Sequence, residues 1–149
     1  MLRDVHRQRL DKIEHMREDI LKAGEEAQEM KRLPDWIVSD LVDEGFFRFA
    51  LPTEMGGDNA SSMETIEVLE HLGAIDASVS WNVMLGSEIN AMAVGGMDPE
   101  LAKKIYLENP RVVMCGGGGP GTKPPRAERQ KDGSVKVWGQ NTFISGCHN

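Results

Sequence analysis

Apolar positions repeat at helical spacing up to about residue 95, and the texture changes at Arg111 to short alternating runs mixed with glycine. Ile13, Met16, Ile20, Ala23, Ala27 and Met30 form one stripe at 3-4 spacing, which predicts an amphipathic helix. Glu18 and Lys22 add an i,i+4 pair on its wet side. The stripe is short and holds two alanines beside Gly24, so a helix docked on its own protein fits better than a coiled coil. A second helix is expected from Pro34, whose missing N–H costs nothing in a first turn, with Asp35 at the positive end and Gly45 as the stop. The aromatic run Phe46, Phe47, Phe49 follows, and Pro52 to Gly57 reads as loop. Ser61-x-x-Glu64 is a capping box that opens a third helix through His71, with Gly73 behind it. Residues 76–94 predict a nearly all-apolar fourth helix (Ala77, Val79, Trp81, Val83, Met84, Leu85, Ile89, Met92, Ala93), expected to be buried on most sides. Asp98-Pro99-Glu100 starts a fifth, ended by Asn109-Pro110.

Beyond residue 110, Val112–Cys115 reads as a strand. Val135–Trp138 and Thr142–Ser145 read as two more, separated by a Gly139-Gln140-Asn141 turn. The pattern therefore predicts a mainly α chain: an all-helical domain over 1–110 and an incomplete β-domain over 111–149. An alternating strand such as Thr142–Ser145 buries one face and needs edge partners. Little chain follows it, so the expectation is the front part of a larger protein, cut within a β-domain.

Charge narrows the partners. A net charge of −7 and a pI of about 5.1 argue against nucleic acid or an anionic membrane. No apolar run approaches the roughly 18 residues of a membrane span. The opening Met1 to His6 lacks an apolar signal core, so a non-exported protein is expected. Cys115 and Cys147 are the only cysteines and form no CxxC pair or disulfide framework, which fits the cytoplasm.

Candidate chemistry concentrates after residue 110. Gly116, Gly118 and Gly121 spell GxGxxG, but that motif works by opening a helix whose N-terminus takes a pyrophosphate. Here Lys123-Pro124-Pro125 follows, which predicts extended loop. A phosphate loop fails too, since Thr122 precedes Lys123. Two readings remain open: a plain surface loop, or a backbone surface that a planar ligand can approach because glycine has no side chain in the way. His6, His15, His71 and His148 show no metal-ligand spacing and read as structural, and no metal site is expected. Cys115, at the end of an apolar strand, reads as packing rather than a nucleophile. Lys123, Arg126, Arg129, Lys131 and Lys136 form a basic patch, read as a solvated loop and strand edge, with phosphate contact as the sharper alternative. Trp81, Met84 and Trp138 read as core before pocket.

Three matches resemble the acyl-CoA dehydrogenase superfamily over roughly residues 30–149. Leu51-Pro52-Thr53-Glu54-Met55-Gly56-Gly57 is similar to its early Pro-x-Glu-x-Gly-Gly loop after a hydrophobic helix. The helical order that follows is similar, and the last 17 residues resemble a strand pair ending in an aromatic-x-Ser/Thr tripeptide, here Phe143-Ile144-Ser145. Acyl-CoA dehydrogenases carry Thr-Glu-Pro-x-Ala-Gly-Ser-Asp at the glycine stretch, where this chain has Gly117-Gly118-Gly119-Pro120-Gly121-Thr122. Phe143-Ile144-Ser145-Gly146-Cys147-His148 instead resembles the Phe-x-Ser-Gly-Cys run of the two-component flavin-dependent monooxygenases, and Arg32-Leu33-Pro34-Asp35 fits that branch.

The resemblance implies a flavin, FAD or FMN, held non-covalently. Reduced flavin from a separate reductase and O2 would hydroxylate an aromatic or polycyclic small molecule. Ser145 would be the catalytic residue, its hydroxyl near flavin N5. Phe143 would lie against the ring, Met114, Gly116 and Gly117 would offer backbone contacts to its polar edge, and Trp81 would border the substrate. The resemblance also implies a homotetrameric parent whose remaining catalytic groups lie in a C-terminal helical bundle, so that residues 1–149 alone would not turn over. FAD-dependent α,β-dehydrogenation of an acyl-CoA is the alternative, and a non-catalytic helical binding module the second.

Overall fold

The computed structural model describes residues 3–117 and 119–148, with backbone placement only for 119–122. The stripe predicted over residues 13–30 folds as two helices, α1 (Asp4–His15) and α2 (Arg17–Met30). The break falls at Met16, at φ −89° and ψ 4°. The stripe is continuous in sequence, but α1 answers to other partners. Arg3 pairs with Glu64 at 2.6 Å, His6 with Glu67 at 2.9 Å, and Arg9 with Asp58. His6 and Arg9 are buried, and the Arg9 guanidinium also lies 5.0 Å from the Phe49 ring centroid. These contacts turn α1 onto the helix over Ser62–Gly73 and the loop before it, whereas Ile20 and Ala23 take α2 into the core. Desolvation lowers the Arg9 pKa to about 10, still charged at neutral pH. The expected Glu18–Lys22 pair is replaced: the Lys22 ammonium sits 3.9 Å from Glu26 and 5.2 Å from the Trp36 ring centroid. Met30 is exposed, and Lys31 closes α2 in a left-handed conformation (φ 58°).

Helix α3 (Asp35–Asp43) follows Pro34 and ends before Gly45 at φ 76°, a conformation only glycine adopts freely. Phe46, Phe47 and Phe49 are all buried with Ile37, Leu41, Val68, Leu72, Val79 and Val83 in one core. Each such side chain contributes about 1.5–3 kcal/mol by leaving water. The loop at Pro52–Gly57 contains a short 3-10 turn, Thr53–Met55. Arg48 ties it down by donating to the carbonyls of Met55 (2.6 Å), Tyr106 (2.8 Å) and Pro110 (2.6 Å). The capping box forms as expected at α4 (Ser62–Gly73), with Ser61 accepting from the Glu64 N–H.

Helix α5 (Ala77–Gly96) is capped by Asp76 and corrects the sequence expectation. It buries one face, Val79, Val83, Gly86, Ser87 and Asn90. Trp81 remains 55% exposed and Met92 75% exposed, so Trp81 is not core. Helix α6 (Pro99–Glu108) packs Ala102 and Tyr106 against Leu51 and Met55. Among the described residues no helix is long and apolar enough to cross a membrane.

Residues 112–115 run without a ladder, not as the expected strand. The sheet is one antiparallel hairpin, β1 (Gly119–Arg129) and β2 (Val135–Thr142). Lys123, Pro124 and Pro125 therefore lie in a strand rather than a loop. The register slips between Pro120 and Lys123 and between Lys123 and Arg126, as expected where proline nitrogens cannot donate to a ladder. Gly139–Asn141 continues β2 instead of turning. A Cβ at Gly139 would lie 2.4 Å from Pro125 Cα, so the glycine lets the two strands stay paired there. Residues 143–145 leave the strand. Val135, Val137 and Trp138 are exposed, as are Lys123, Arg126, Arg129, Lys131 and Lys136. The basic patch is thus solvated, with Lys136 5.9 Å from the Trp138 ring centroid. This is a mainly α fold with the start of a β-layer.

Candidate active site

After α6 the chain crosses α5 and is fixed there by close packing. A Cβ at Gly86 would lie 2.4 Å from Phe47 and 3.1 Å from Val113, and one at Gly116 would lie 3.0 Å from Ile89 Cδ1. Between these contacts the Met114 N–H donates to Asn90 Oδ1 at 3.1 Å. The hairpin then returns the chain to the same place. Ser145 N–H donates to the Gly116 carbonyl at 3.1 Å, forming an antiparallel bridge. A Cβ at Gly117 would lie 2.0 Å from the Phe143 carbonyl oxygen, so only glycine permits this approach. Phe143 itself holds φ 57°, a region that costs an aromatic residue about 1–3 kcal/mol, and is 84% exposed. Gly146 (φ 82°) allows the turn in which Cys147 N–H reaches the Ile144 carbonyl.

Two shallow grooves flank the bridge. One, of about 520 Å³, is lined by Ile89, Met92, Ala93, Gly116 and Gly117. The other, of about 370 Å³, is lined by Asn141, Phe143, Ile144, Ser145, Cys147 and His148. Ser145 is half-buried, and among the described residues its hydroxyl has no hydrogen-bond partner. The structure thus gathers Gly116, Gly117, Phe143 and Ser145 around one bridge, with Met114 two residues away. Trp81 lines neither groove. It precedes Ile89 by eight residues on α5, roughly 12 Å along the axis.

The GxGxxG reading has no support: Gly118 lies outside the described residues, and β1, not a helix, begins at Gly119. His6, His15 and His71 bond to Glu67, to the Asp11 carbonyl and to the Glu67 carbonyl, as structural histidines do, and His148 is exposed. Cys115 is exposed rather than packed. Among the described residues no three His, Cys, Asp or Glu side chains stand close enough to hold a metal ion.

The family described as "Acyl-CoA dehydrogenase, N-terminal domain" matches residues 4–109. The chain belongs to that family. It is 32% identical over 111 residues to the indole-3-acetate monooxygenase of Acinetobacter baumannii, covering 74% of this chain and 27% of that protein. It is 26% identical over 138 residues to a pigment production hydroxylase of Rhodococcus erythropolis, covering 92% and 34%. The HsaA monooxygenase from M. tuberculosis has the same fold, with a TM-score of 0.78 at 22% identity over 98% of this chain and 37% of that one. The chain thus spans about a third of the length of these relatives. The family implies a flavin cofactor.

Sequence reasoning did not single out Asn90 or Tyr106, nor the groove residues Ile89, Met92 and Ala93 as lining. A signal for Asn90 existed. It shares the buried face of α5 with Val79, Val83 and Gly86, and a polar residue on such a face must have partners.

Proposed function

We propose that this chain is the N-terminal part of a flavin-dependent monooxygenase that uses reduced flavin and O2 to hydroxylate an aromatic or polycyclic substrate. The Gly116–Ser145 bridge carries the reading, because it makes one surface of two distant segments. The relatives named as monooxygenase and hydroxylase favour oxygenation over dehydrogenation. The residues present fit a flavin. No side chain stands at Gly116 or Gly117, the adjoining groove wall is apolar, and Ser145 has a hydroxyl to offer.

A bound flavin supplies the redox chemistry and the activation of O2. The chain's residues hold and orient it. Met114, Gly116 and Gly117 would give backbone contacts to its polar edge, and Phe143 would lie against its ring. The Ser145 hydroxyl would be the hydrogen-bond donor to the flavin, a pre-placed bond of the kind that stabilises developing charge. Ile89, Met92 and Ala93 would give the flavin an apolar wall, and Trp81, outside both grooves, would border the substrate. FMN or FAD reaches the site from a separate reductase, in a cytoplasmic homotetramer whose β-domain begins near residue 111.

The family description gives a second reading, acyl-CoA dehydrogenation. Against it, Gly117 to Thr122 lacks the Ser-Asp that the dehydrogenases place near the acyl-CoA. A purely binding helical module would leave the Gly116–Ser145 surface without a role. The test is 18O2 with reduced flavin and aromatic acceptors, using the complete protein. Labelled hydroxyl in the product supports the proposal. Acyl-CoA-dependent reduction of an electron acceptor, with no label transferred, returns the dehydrogenase. In the chain itself, Gly117→Ala is expected to weaken flavin binding at least tenfold while leaving helix content unchanged, read by flavin fluorescence and circular dichroism.

A further inference from the structure

Asn90 and Tyr106 are both fully buried, and together they form a polar hub beneath the glycine segment. The Asn90 Nδ2 donates to the Phe47 carbonyl at 2.9 Å. Its Oδ1 accepts from the Met114 N–H at 3.1 Å and faces the Tyr106 hydroxyl at 3.2 Å. That hydroxyl has one proton and three acceptors in reach: Asn90 Oδ1, the Asn90 carbonyl at 3.2 Å and Met114 Sδ at 3.4 Å. Burial raises the Tyr106 pKa, so the hydroxyl is a donor at neutral pH.

A hub of this kind does more than fill space: Asn90 pairs the Phe47 carbonyl and the Met114 N–H, which an apolar side chain would leave without those partners, and a satisfied polar network fixes one geometry. What it fixes here is Met114, gripped at its backbone by Asn90 and within hydrogen-bond reach of Tyr106 at its sulfur. Met114 lies two residues before Gly116, whose carbonyl receives Ser145 N–H. Neither hub residue lines either groove.

We infer that Asn90 and Tyr106 are positioning residues that hold the Met114–Gly117 segment in register with Phe143–Ser145, and so set flavin affinity without touching the flavin. The inference rests on the flavin reading for its consequence, but its first half is a statement about coupling within the chain.

The experiment is amide hydrogen exchange by NMR together with FMN and FAD titration, on the 149-residue chain and its Tyr106→Phe and Asn90→Leu variants. Tyr106→Phe removes one oxygen and keeps the packing, so it covers the case in which Asn90→Leu does not fold. Exchange at the Met114 and Ser145 amides is expected to rise at least tenfold in each folded variant. Exchange at Leu41 and Leu72 in the helical core should stay within twofold. The flavin Kd should rise about tenfold. A uniform rise at all four amides would reduce the hub to a structural role and overturn the inference, as would unchanged exchange at Met114 and Ser145. If the unaltered chain binds neither flavin, the site proposal fails, while the exchange pattern still decides the coupling.

Discussion

The helical body and the hairpin carry comparable apolar residues and use them differently. Phe46, Phe47 and Phe49 are at most 1% exposed, whereas Val135, Val137 and Trp138 are 51%, 68% and 42% exposed. The body has several helices that close over each other's stripes. The hairpin has one layer, and alternation can only sort its side chains onto two faces. An apolar pattern thus names a face, and burial depends on whether a second layer meets it. The comparison breaks most directly at Phe47. Phe47→Ala should cost about 3–5 kcal/mol, since the ring is buried against Gly86 and closely packed surroundings relax little. Urea denaturation measures it, and a loss under about 1 kcal/mol would mean that the body does not depend on this core.

Gly86→Ala probes the same contact from the other side. The new methyl would lie 2.4 Å from Phe47 Cδ1 and 3.1 Å from Val113 Cγ1, and the ring it meets is itself buried. Overpacking of this kind costs about 1–3 kcal/mol. A neutral or stabilising Gly86→Ala would show that α5 and the phenylalanine run can slide apart, and would weaken the claim that Val113 is fixed through this contact.

A smaller effect separates charge from packing inside the body. The Arg3 guanidinium, with help from Ser61, holds the Glu64 carboxyl well down, to about 2. A carboxyl whose folded pKa is depressed stabilises the fold above its unfolded value and loses that contribution as pH falls through the folded one. Here that window runs from about pH 4.5 down to about 2. Glutamine still completes a capping box, so Glu64→Gln removes the charge and little else. The denaturation midpoint of Glu64→Gln should fall below that of the unaltered chain at pH 7, and the two should converge as pH drops toward 2. A gap that is constant with pH would assign the loss to the cap instead of to the ion pair that helps dock α1.

Helix starts and stops were legible because their causes are local: Ser61 with Glu64, Asp98 before Pro99, Gly45 at positive φ. The split at Met16 was not, since it follows from α1 pairing with Glu64, Glu67 and Asp58 far along the chain. The open face of α5 was misjudged for a related reason. Composition gives apolarity all round, and only neighbouring elements show that Trp81 and Met92 lie outside. In the site, Phe143-Ile144-Ser145 could be picked out by resemblance, and Gly116 and Gly117 as a place for close backbone approach. Their meeting through the Gly116–Ser145 bridge is a long-range fact. Pro124 and Pro125 argued for loop by local rule, yet the ladder tolerates them by shifting register around them.

The smallest expected effect sharpens the comparison from the hairpin side. Val137 stands opposite Ala127 on β1 and is largely exposed. Val137→Ser therefore removes little buried area, and what it forfeits is chiefly the fit of a branched side chain to a pleated surface. The change should be about 0.5 kcal/mol or less. Urea denaturation of this variant beside Phe47→Ala, each run at two protein concentrations, makes the contrast quantitative. If Val137→Ser costs as much as a core truncation, the hairpin face is covered in solution. A cost that grows with protein concentration would then identify the cover as another copy of the chain, because only an intermolecular layer responds to mass action.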